Sequence, residues 1–201
     1  MSEPATASKV AIIVLAAGAA RRYGSAKQLA ALSGVSLVRR AAQAALEVSA
    51  DVVVVTGAYD EAVSAELADL PLRRCASPDW VLGLGHSLAA PFRAGLLSPE
   101  CSALILLADQ PLIGSAQLRA LLAAHHTASD KIIAADYGER LGPPCLFPPA
   151  FHAELAELSG DRGARPLLQR HAAKVLAVSM PEAAVDIDTP DDWQRLTAAS
   201  P

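Results

Sequence analysis

A chain of 201 residues suits one domain with a sizeable core, and 52% hydrophobic residues exclude a disordered protein. A net charge of −4 without any basic run, and only 4% aromatic residues, argue against nucleic acid as a partner and against base-stacking platforms. The three cysteines, Cys75, Cys101 and Cys145, stand far apart without a C-x-x-C pair, the pattern of reduced thiols in the cytoplasm rather than of disulfides or a zinc site.

Met1 to Ser8 are small and polar and read as a flexible N-terminal tail without the apolar centre of a signal peptide; residues 9–201 read as a single domain. The longest apolar stretch, Ala103 to Ala108, is too short to span a bilayer, so no membrane partner is expected. Val10–Leu15 does not alternate with polar residues and predicts a strand buried on both faces. It opens into a loop of small residues, Ala16, Ala17, Gly18, Ala19 and Ala20, followed by Arg21, Arg22, Gly24 and Lys27. Small residues let backbone N–H groups approach an anion closely, and the cations add charge where a polyphosphate needs it. The stretch Leu15 to Lys27 therefore predicts a cradle for the triphosphate of a nucleotide. Its spacing matches neither the P-loop nor the G-x-G-x-x-G fingerprint.

Further along, the pattern predicts helices over Ser36–Ala50 and Asp60–Leu70 around a buried strand, Asp51–Thr56, that Gly57 ends. A short strand at Leu72–Ala76 leads into a loop, Ser77–Ser87, and a helix over Leu88–Leu97. The most apolar strand, Ala103–Leu107, ends in Asp109-Gln110-Pro111; a helix capped by Ser115 runs to His126. A strand at Ile132–Tyr137 is followed by Cys145-Leu146-Phe147, read as a short edge strand because prolines bracket it. Helices at Ala150–Leu158 and Ala164–Arg170, strands at Val175–Ser179 and Val185–Ile187, and a helix after Thr189 complete the chain. Strands alternating with helices predict an α/β, three-layer domain with a mainly parallel, Rossmann-like sheet and helices on both faces. Ligands of such sheets sit at the carboxyl ends of the strands, which places Gly18, Thr56, Gly57 and Asp109 at one edge.

A carboxylate at the mouth of a buried strand suits Mg²⁺ held against a polyphosphate, since Mg²⁺ takes one or two protein carboxylates plus phosphate oxygens and waters. Asp109 is one such residue. In Asp186-Ile187-Asp188-Thr189-Pro190, Thr189 and Pro190 make a good helix start. Asp186 and Asp188 would share one face of a strand; Asp188 is taken as the second metal ligand and Asp186 as structural. Gly85 and Ser87, in Gly83-Leu84-Gly85-His86-Ser87, are expected to pack on base and ribose. Gly85 to Ala89 also nearly matches the nucleophile elbow G-x-S-x-G, but no strong strand precedes it and no late histidine has a fitting context. Arg162 and Arg165, beside Gly160 and Gly163, are candidates for an acidic acceptor, against the plainer reading of a charged helix start. His125 and His126 end a helix, where cations suit its dipole, and receive no catalytic role.

The pattern Leu15-Ala16-Ala17-Gly18, Arg22, Gly24, Lys27 resembles the signature loop of nucleotidyltransferases. With Gly83-x-Gly85-His86-Ser87-Leu88, Leu107-Ala108-Asp109-Gln110-Pro111, Gly160-Asp161-x-Gly163-Ala164-Arg165 and Asp186-Ile187-Asp188-Thr189-Pro190, it resembles the molybdenum cofactor cytidylyltransferases over nearly the whole chain. That resemblance implies Mg²⁺-dependent transfer of CMP from CTP to molybdopterin carrying molybdenum, with release of pyrophosphate. It implies Lys27, Arg22 and Asp109 as catalytic residues, Asp109 and Asp188 as metal ligands, and Leu15, Ala16, Ala17, Gly18, Arg22, Lys27, Thr56, Gly57, Gly85, Ser87 and Asp109 around the nucleotide. A molybdoenzyme or its chaperone would receive the product. Related guanylyltransferases typically read Leu-Ala-Gly-Gly where this chain has Leu15-Ala16-Ala17-Gly18, which favours cytosine. Between Arg21 and Arg22, the register favours Arg22 as the phosphate contact. Transfer to a sugar phosphate or another small acceptor, guanylyl transfer, and a non-catalytic nucleotide- or cofactor-binding module are the other readings.

Overall fold

The structure is a computed structural model and describes residues 9–138 and 140–199; the expected tail of residues 1–8 lies outside the described residues. In chain order its strands and helices are β1 (Val10–Leu15), β2 (Ala31–Leu32), β3 (Val35–Ser36), α1 (Leu37–Leu46), β4 (Val52–Thr56), α2 (Asp60–Glu66), β5 (Arg73–Ala76), α3 (Leu84–Arg93), β6 (Ser102–Leu107), α4 (Ser115–Thr127), β7 (Ile132–Asp136), β8 (Leu141–Phe147), α5 (His152–Ala156), α6 (Arg165–Arg170), β9 (Val175–Ser179) and α7 (Pro190–Ala199).

Seven strands form one sheet in the order β5-β4-β1-β6-β8-β7-β9. All run parallel except β8, which is antiparallel to both β6 and β7. The side-chain period of two divides each central strand between two cores. Ala11, Ile13 and Leu15 face one side, with Leu88 of α3, Leu155 of α5 and Leu167 of α6. Ile12 and Val14 face the other, with Ala41 of α1, Val63 of α2 and Leu118 of α4. This is the expected single α/β domain of three layers. Among the described residues, no helix is long and apolar enough to cross a membrane.

Several boundaries differ from the pattern. The helix expected over Ser36–Ala50 runs from Leu37 to Leu46, with the Ser36 hydroxyl accepting from the Arg39 N–H as its cap. The helix expected to reach Leu70 stops at Glu66. Gly114, not Ser115, precedes α4, and its N–H donates to the Gln117 side chain. The segment expected as one helix from Ala150 divides into a 3-10 turn, Pro149–Phe151, and α5.

The expected edge strand Cys145–Phe147 is the last part of β8, a longer strand inside the sheet. Pro143 and Pro144 are tolerated there because the register with β7 shifts beside them, with Ala134 opposite Cys145 but Ala135 opposite Gly142. Prolines, which lack a donor, fit at such an irregularity. Val185–Ile187 is not a strand; it is an irregular segment tied to the sheet by one hydrogen bond, Ile187 N–H to the Asp109 carbonyl at 3.0 Å. The β2–β3 hairpin, which turns through Ser33 and Gly34 at positive φ, has too few residues to show a period.

A third, small apolar cluster joins Leu32, Leu37, Ile187 and Leu196, with Tyr23, Val185 and Trp193 packed against it. Tyr23 and Trp193 meet edge to face at 6.4 Å. This cluster fastens the end of the chain onto the loop that follows β1.

Candidate nucleotide site

The loop after β1 is shaped by its neighbours. Ala16 N–H donates to the Val55 carbonyl at 2.9 Å and Ala58 N–H to the Ala17 carbonyl at 3.1 Å. The buried Gln28 amide donates to the Ala16 and Gly18 carbonyls at 3.0 and 2.5 Å, and the Tyr59 hydroxyl to the Ala19 carbonyl. The carbonyls of Ala16, Ala17, Gly18 and Ala19 thus all have donors. Among the described residues, the backbone N–H groups of Gly18, Ala19, Ala20, Arg21 and Arg22 have no acceptor. Ala20 takes φ +50°, an uncommon value for a non-glycine residue. Its carbonyl accepts from Tyr23 and Gly24 N–H, which closes the turn carrying Arg21 and Arg22. A row of free N–H groups on a small-residue loop is a concavity that suits an anion.

Lys27 comes back to this loop on a 3-10 turn, Lys27–Leu29, which Gln28 pins in place. Its ammonium lies 2.7 Å from Asp109 Oδ2 and 2.9 Å from Asp188 Oδ1, and Lys27 is only 9% exposed. Burial alone would lower the Lys27 pKa; the charge of Asp109 and the bonds to Asp109 and Asp188 outweigh it and leave it raised. Arg22 reaches Asp188 Oδ2 at 2.5 Å from an exposed position. Asp188 lies beside Asp109 because Ile187 bonds the Asp109 backbone and because α7 starts there. Asp192 Oδ2 accepts from the N–H groups of Asp188 and Thr189, and the Thr189 hydroxyl accepts from Asp192 N–H, a reciprocal cap.

An open cleft of about 270 Å³ runs between these groups. Leu15, Ala16, Ala17, Gly18, Arg21, Arg22, Lys27, Asp109 and Asp188 all line it. Of the residues expected around a nucleotide, Thr56, Gly57, Gly85 and Ser87 do not. Thr56 is fully buried and its hydroxyl donates to Asp60. A methyl at Gly57 would lie 2.6 Å from the Ala17 carbonyl oxygen and 2.8 Å from Trp80 Cβ, so Gly57 sets the seat of the loop from behind.

Gly85 and Ser87 belong to α3, whose start is Leu84 rather than Leu88. The Gly85 N–H donates to the Gly160 carbonyl at 2.7 Å, and a methyl there would lie 2.5 Å from the Ser159 carbonyl oxygen. Ser87 is buried, with its hydroxyl 3.5 Å from that of Ser77. No nucleophile elbow exists at this position; the serine lies within a helix. Asp161 Oδ1 closes on the Gly83 position, where φ is +115°, and Leu84 Cδ2 lies 2.9 Å from where a methyl on Gly163 would stand. The two glycine motifs of the sequence are therefore each other's packing partners. Arg162 and Arg165 are exposed and outside the cleft.

Asp186 is exposed; partial desolvation raises its pKa, with the charges of Asp188 and Asp109 adding to the effect. His125 is buried rather than a solvated helix-end cation: its Nε2 lies 2.9 Å from the Ser102 hydroxyl and burial lowers its pKa. Two residues that carry the site were not singled out from the sequence. Gln28 holds the loop, and Gln110 donates to the Pro143 and Ala183 carbonyls at 2.9 and 2.8 Å, gathering β8 and the 181–184 turn around Asp109. Their places, next to Lys27 and next to Asp109, were the available signal. All three cysteines are free and buried, as expected of inert thiols.

An anion cradle beside paired carboxylates, at the carboxyl edge of a parallel sheet, is the arrangement of an NTP transferase. Residues 12–175 match the MobA-like NTP transferase domain, and the chain belongs to this family. It is 31% identical over 196 residues to nicotine blue oxidoreductase of Paenarthrobacter nicotinovorans, covering 92% of this chain and 94% of that protein. It is 29% identical to purine catabolism protein PucB of Bacillus subtilis (strain 168), covering 93% and 95%. Among solved structures it resembles Rv0371c of Mycobacterium tuberculosis H37Rv, with a TM-score of 0.81 at 27% identity over 96% of this chain and all of that one. A second structure of Rv0371c is a complex with manganese, with a TM-score of 0.77 at 26% identity over the same shares of the two chains.

Proposed function

We propose that this protein transfers CMP from CTP to the phosphate of molybdopterin carrying molybdenum, with Mg²⁺ as the cofactor and pyrophosphate as the second product. The observation that carries the reading is the meeting of Lys27, Asp109 and Asp188 beside the free N–H groups of the Gly18–Arg22 loop. Ala17, which lines the cleft where related guanylyltransferases typically have glycine, supports cytosine.

The donors present fit a divalent cation. Asp109 Oδ1 is buried without a hydrogen-bond partner, and a hard cation takes such carboxylate oxygens together with those of phosphate. Asp109 and Asp188 would hold it, and when bound it supplies positive charge against the α-phosphate and the departing pyrophosphate. The attacking group is a phosphate monoester, whose second pKa is about 6, so it is largely ionised at neutral pH without a general base. The work left to the protein is to bring two anions together. The loop N–H groups orient the triphosphate, Lys27 and Arg22 neutralise it, and Gln28 keeps the loop from relaxing as charge moves. Arg162 and Arg165, exposed on the segment whose Gly163 packs against the cleft-lining Leu84, are assigned to the acidic acceptor.

A matrix of CTP, GTP, ATP and UTP against molybdenum cofactor and sugar phosphates, read as pyrophosphate release, tests this. Release with CTP and the molybdenum cofactor is expected; release only with GTP, or only with a sugar phosphate, moves the substrate. The relative named nicotine blue oxidoreductase, 31% identical to this chain, brings a redox reading. That reading predicts reductant consumption with no pyrophosphate from any pair in the matrix.

A further inference from the structure

We propose that Lys27 is a resident counter-ion of the cation site: its ammonium holds the place between Asp109 and Asp188 until nucleotide arrives, and so couples cation binding to nucleotide binding. The inference rests on the nucleotide-transfer reading above. Asp109 and Asp188, which line the cleft, carry four carboxylate oxygens between them. Lys27 lies against Asp109 Oδ2 and Asp188 Oδ1, and Arg22 lies against Asp188 Oδ2. Only Asp109 Oδ1 is unpartnered, and it is buried. A divalent cation bridging both carboxylates therefore has no free oxygen on Asp188. It has to displace Lys27 or Arg22, and an ammonium left at the shared oxygens would repel it.

Either displaced side chain has a destination only when a triphosphate is present. Lys27 and Arg22 line the same cleft as the free N–H groups of the loop after β1. The Lys27 backbone stays fixed, because Gln28 beside it is tied to Ala16 and Gly18, while four rotatable bonds let its ammonium move from carboxylate to phosphate. Without nucleotide, the buried Lys27 ammonium and the exposed Arg22 guanidinium keep the paired acids neutralised and the cation out. With nucleotide, both cations exchange partners and the acids are freed. By linkage, each ligand then raises the affinity of the other.

Titrating Mn²⁺ alone into the full chain, with free Mn²⁺ read by electron paramagnetic resonance, tests the exchange. Wild type is expected to bind Mn²⁺ weakly. Lys27→Met, which removes the ammonium and keeps the stem, is expected to bind it at least about tenfold tighter. Lys27→Arg, which keeps the charge, is expected to stay weak. Equal or weaker Mn²⁺ binding by a folded Lys27→Met overturns the proposal; Lys27→Gln gives the same comparison if the methionine variant does not fold. Calorimetric titration of wild type with CTP, GTP, ATP and UTP, with and without Mn²⁺, examines the underlying reading separately. If none of the four binds under either condition, nucleotide transfer fails and the exchange with it. If a nucleotide binds while Lys27→Met leaves Mn²⁺ affinity unchanged, the exchange alone fails.

Discussion

The loop after β1 and the Gly83–Gly85 turn are alike as sequences, both rich in small residues and both leading toward polar side chains. The fold uses them in opposite ways. A methyl added at Gly18 would have nothing within 4 Å, while one at Gly85 would lie 2.5 Å from the Ser159 carbonyl oxygen. The first loop keeps its N–H groups free and its space open; the second turn is filled by the backbone of Ser159 and Gly160 and the side chain of Asp161. Small residues permit close approach of something, and only the three-dimensional neighbours decide whether it is a ligand or the chain itself.

Breaking the open region should have the largest effect on chemistry. Asp109→Ala is expected to lower metal-dependent turnover by about 10³-fold, the scale of losing a group that supports transition-state charge. Its melting temperature and circular dichroism should stay near wild type; a folded variant with most of its turnover would remove Asp109 from the site.

The contrast itself is sharpened by one alanine in each region. Gly85→Ala should destabilise the fold by about 1–3 kcal/mol through overpacking against Ser159, visible as a lower melting temperature. Gly18→Ala should leave the melting temperature unchanged and raise the KM for nucleotide. The reverse pattern would mean that the closed turn, not the open loop, meets the ligand.

Smaller effects come from the exposed arginines outside the cleft. Arg162→Ala and Arg165→Ala should each raise the acceptor KM severalfold and leave stability and nucleotide affinity alone, since both side chains are exposed. Raised nucleotide KM with unchanged acceptor KM would reassign them.

The smallest is a pH effect far from the cleft. Burial, with the nearby charge of His126, lowers the His125 pKa below its ordinary 6.5. The unfolded chain therefore binds a proton at higher pH than the folded one. The stabilisation is complete above 6.5 and is lost as pH falls below it. Thermal melts between pH 7 and 5 should show this loss, and His125→Gln should flatten the slope; an unchanged slope assigns the acid sensitivity to another group.

Much of the fold is legible in the chain. Apolar runs such as Val10–Leu15 and Ala103–Leu107, too short for helices and flanked by small or polar residues, report strands buried on both faces. Where the structure departs, a non-local contact prevailed over the local signal. Pro143 and Pro144 suggest an edge, yet β8 lies inside the sheet because its register with β7 shifts at the prolines. Gly83 and Gly85 suggest a loop, yet α3 begins at Leu84, where the Gly160 carbonyl accepts from the Gly85 N–H and residues 159–161 pack against the two glycines. Asp186 and Asp188 alternate as on a strand, yet the segment pairs with no strand and is held by the Ile187 bond to Asp109, the Asp192 cap on α7 and the ion pairs of Asp188 with Lys27 and Arg22.

The sequence by itself determined the class of protein, because the order of apolar runs, the spacing of Gly18, Arg22, Gly24 and Lys27, and the acid after Leu107 are local properties written in one dimension. Only the tertiary structure decided how those residues are used. That Lys27 sits between Asp109 and Asp188, that Gln28 and Gln110 hold the loop and the acid in place, and that one glycine turn is open while the other is filled depend on pairs far apart in the chain. The packing of a sheet, two helix layers and a C-terminal clasp brings those pairs within a few ångströms, and no periodicity of the chain records it.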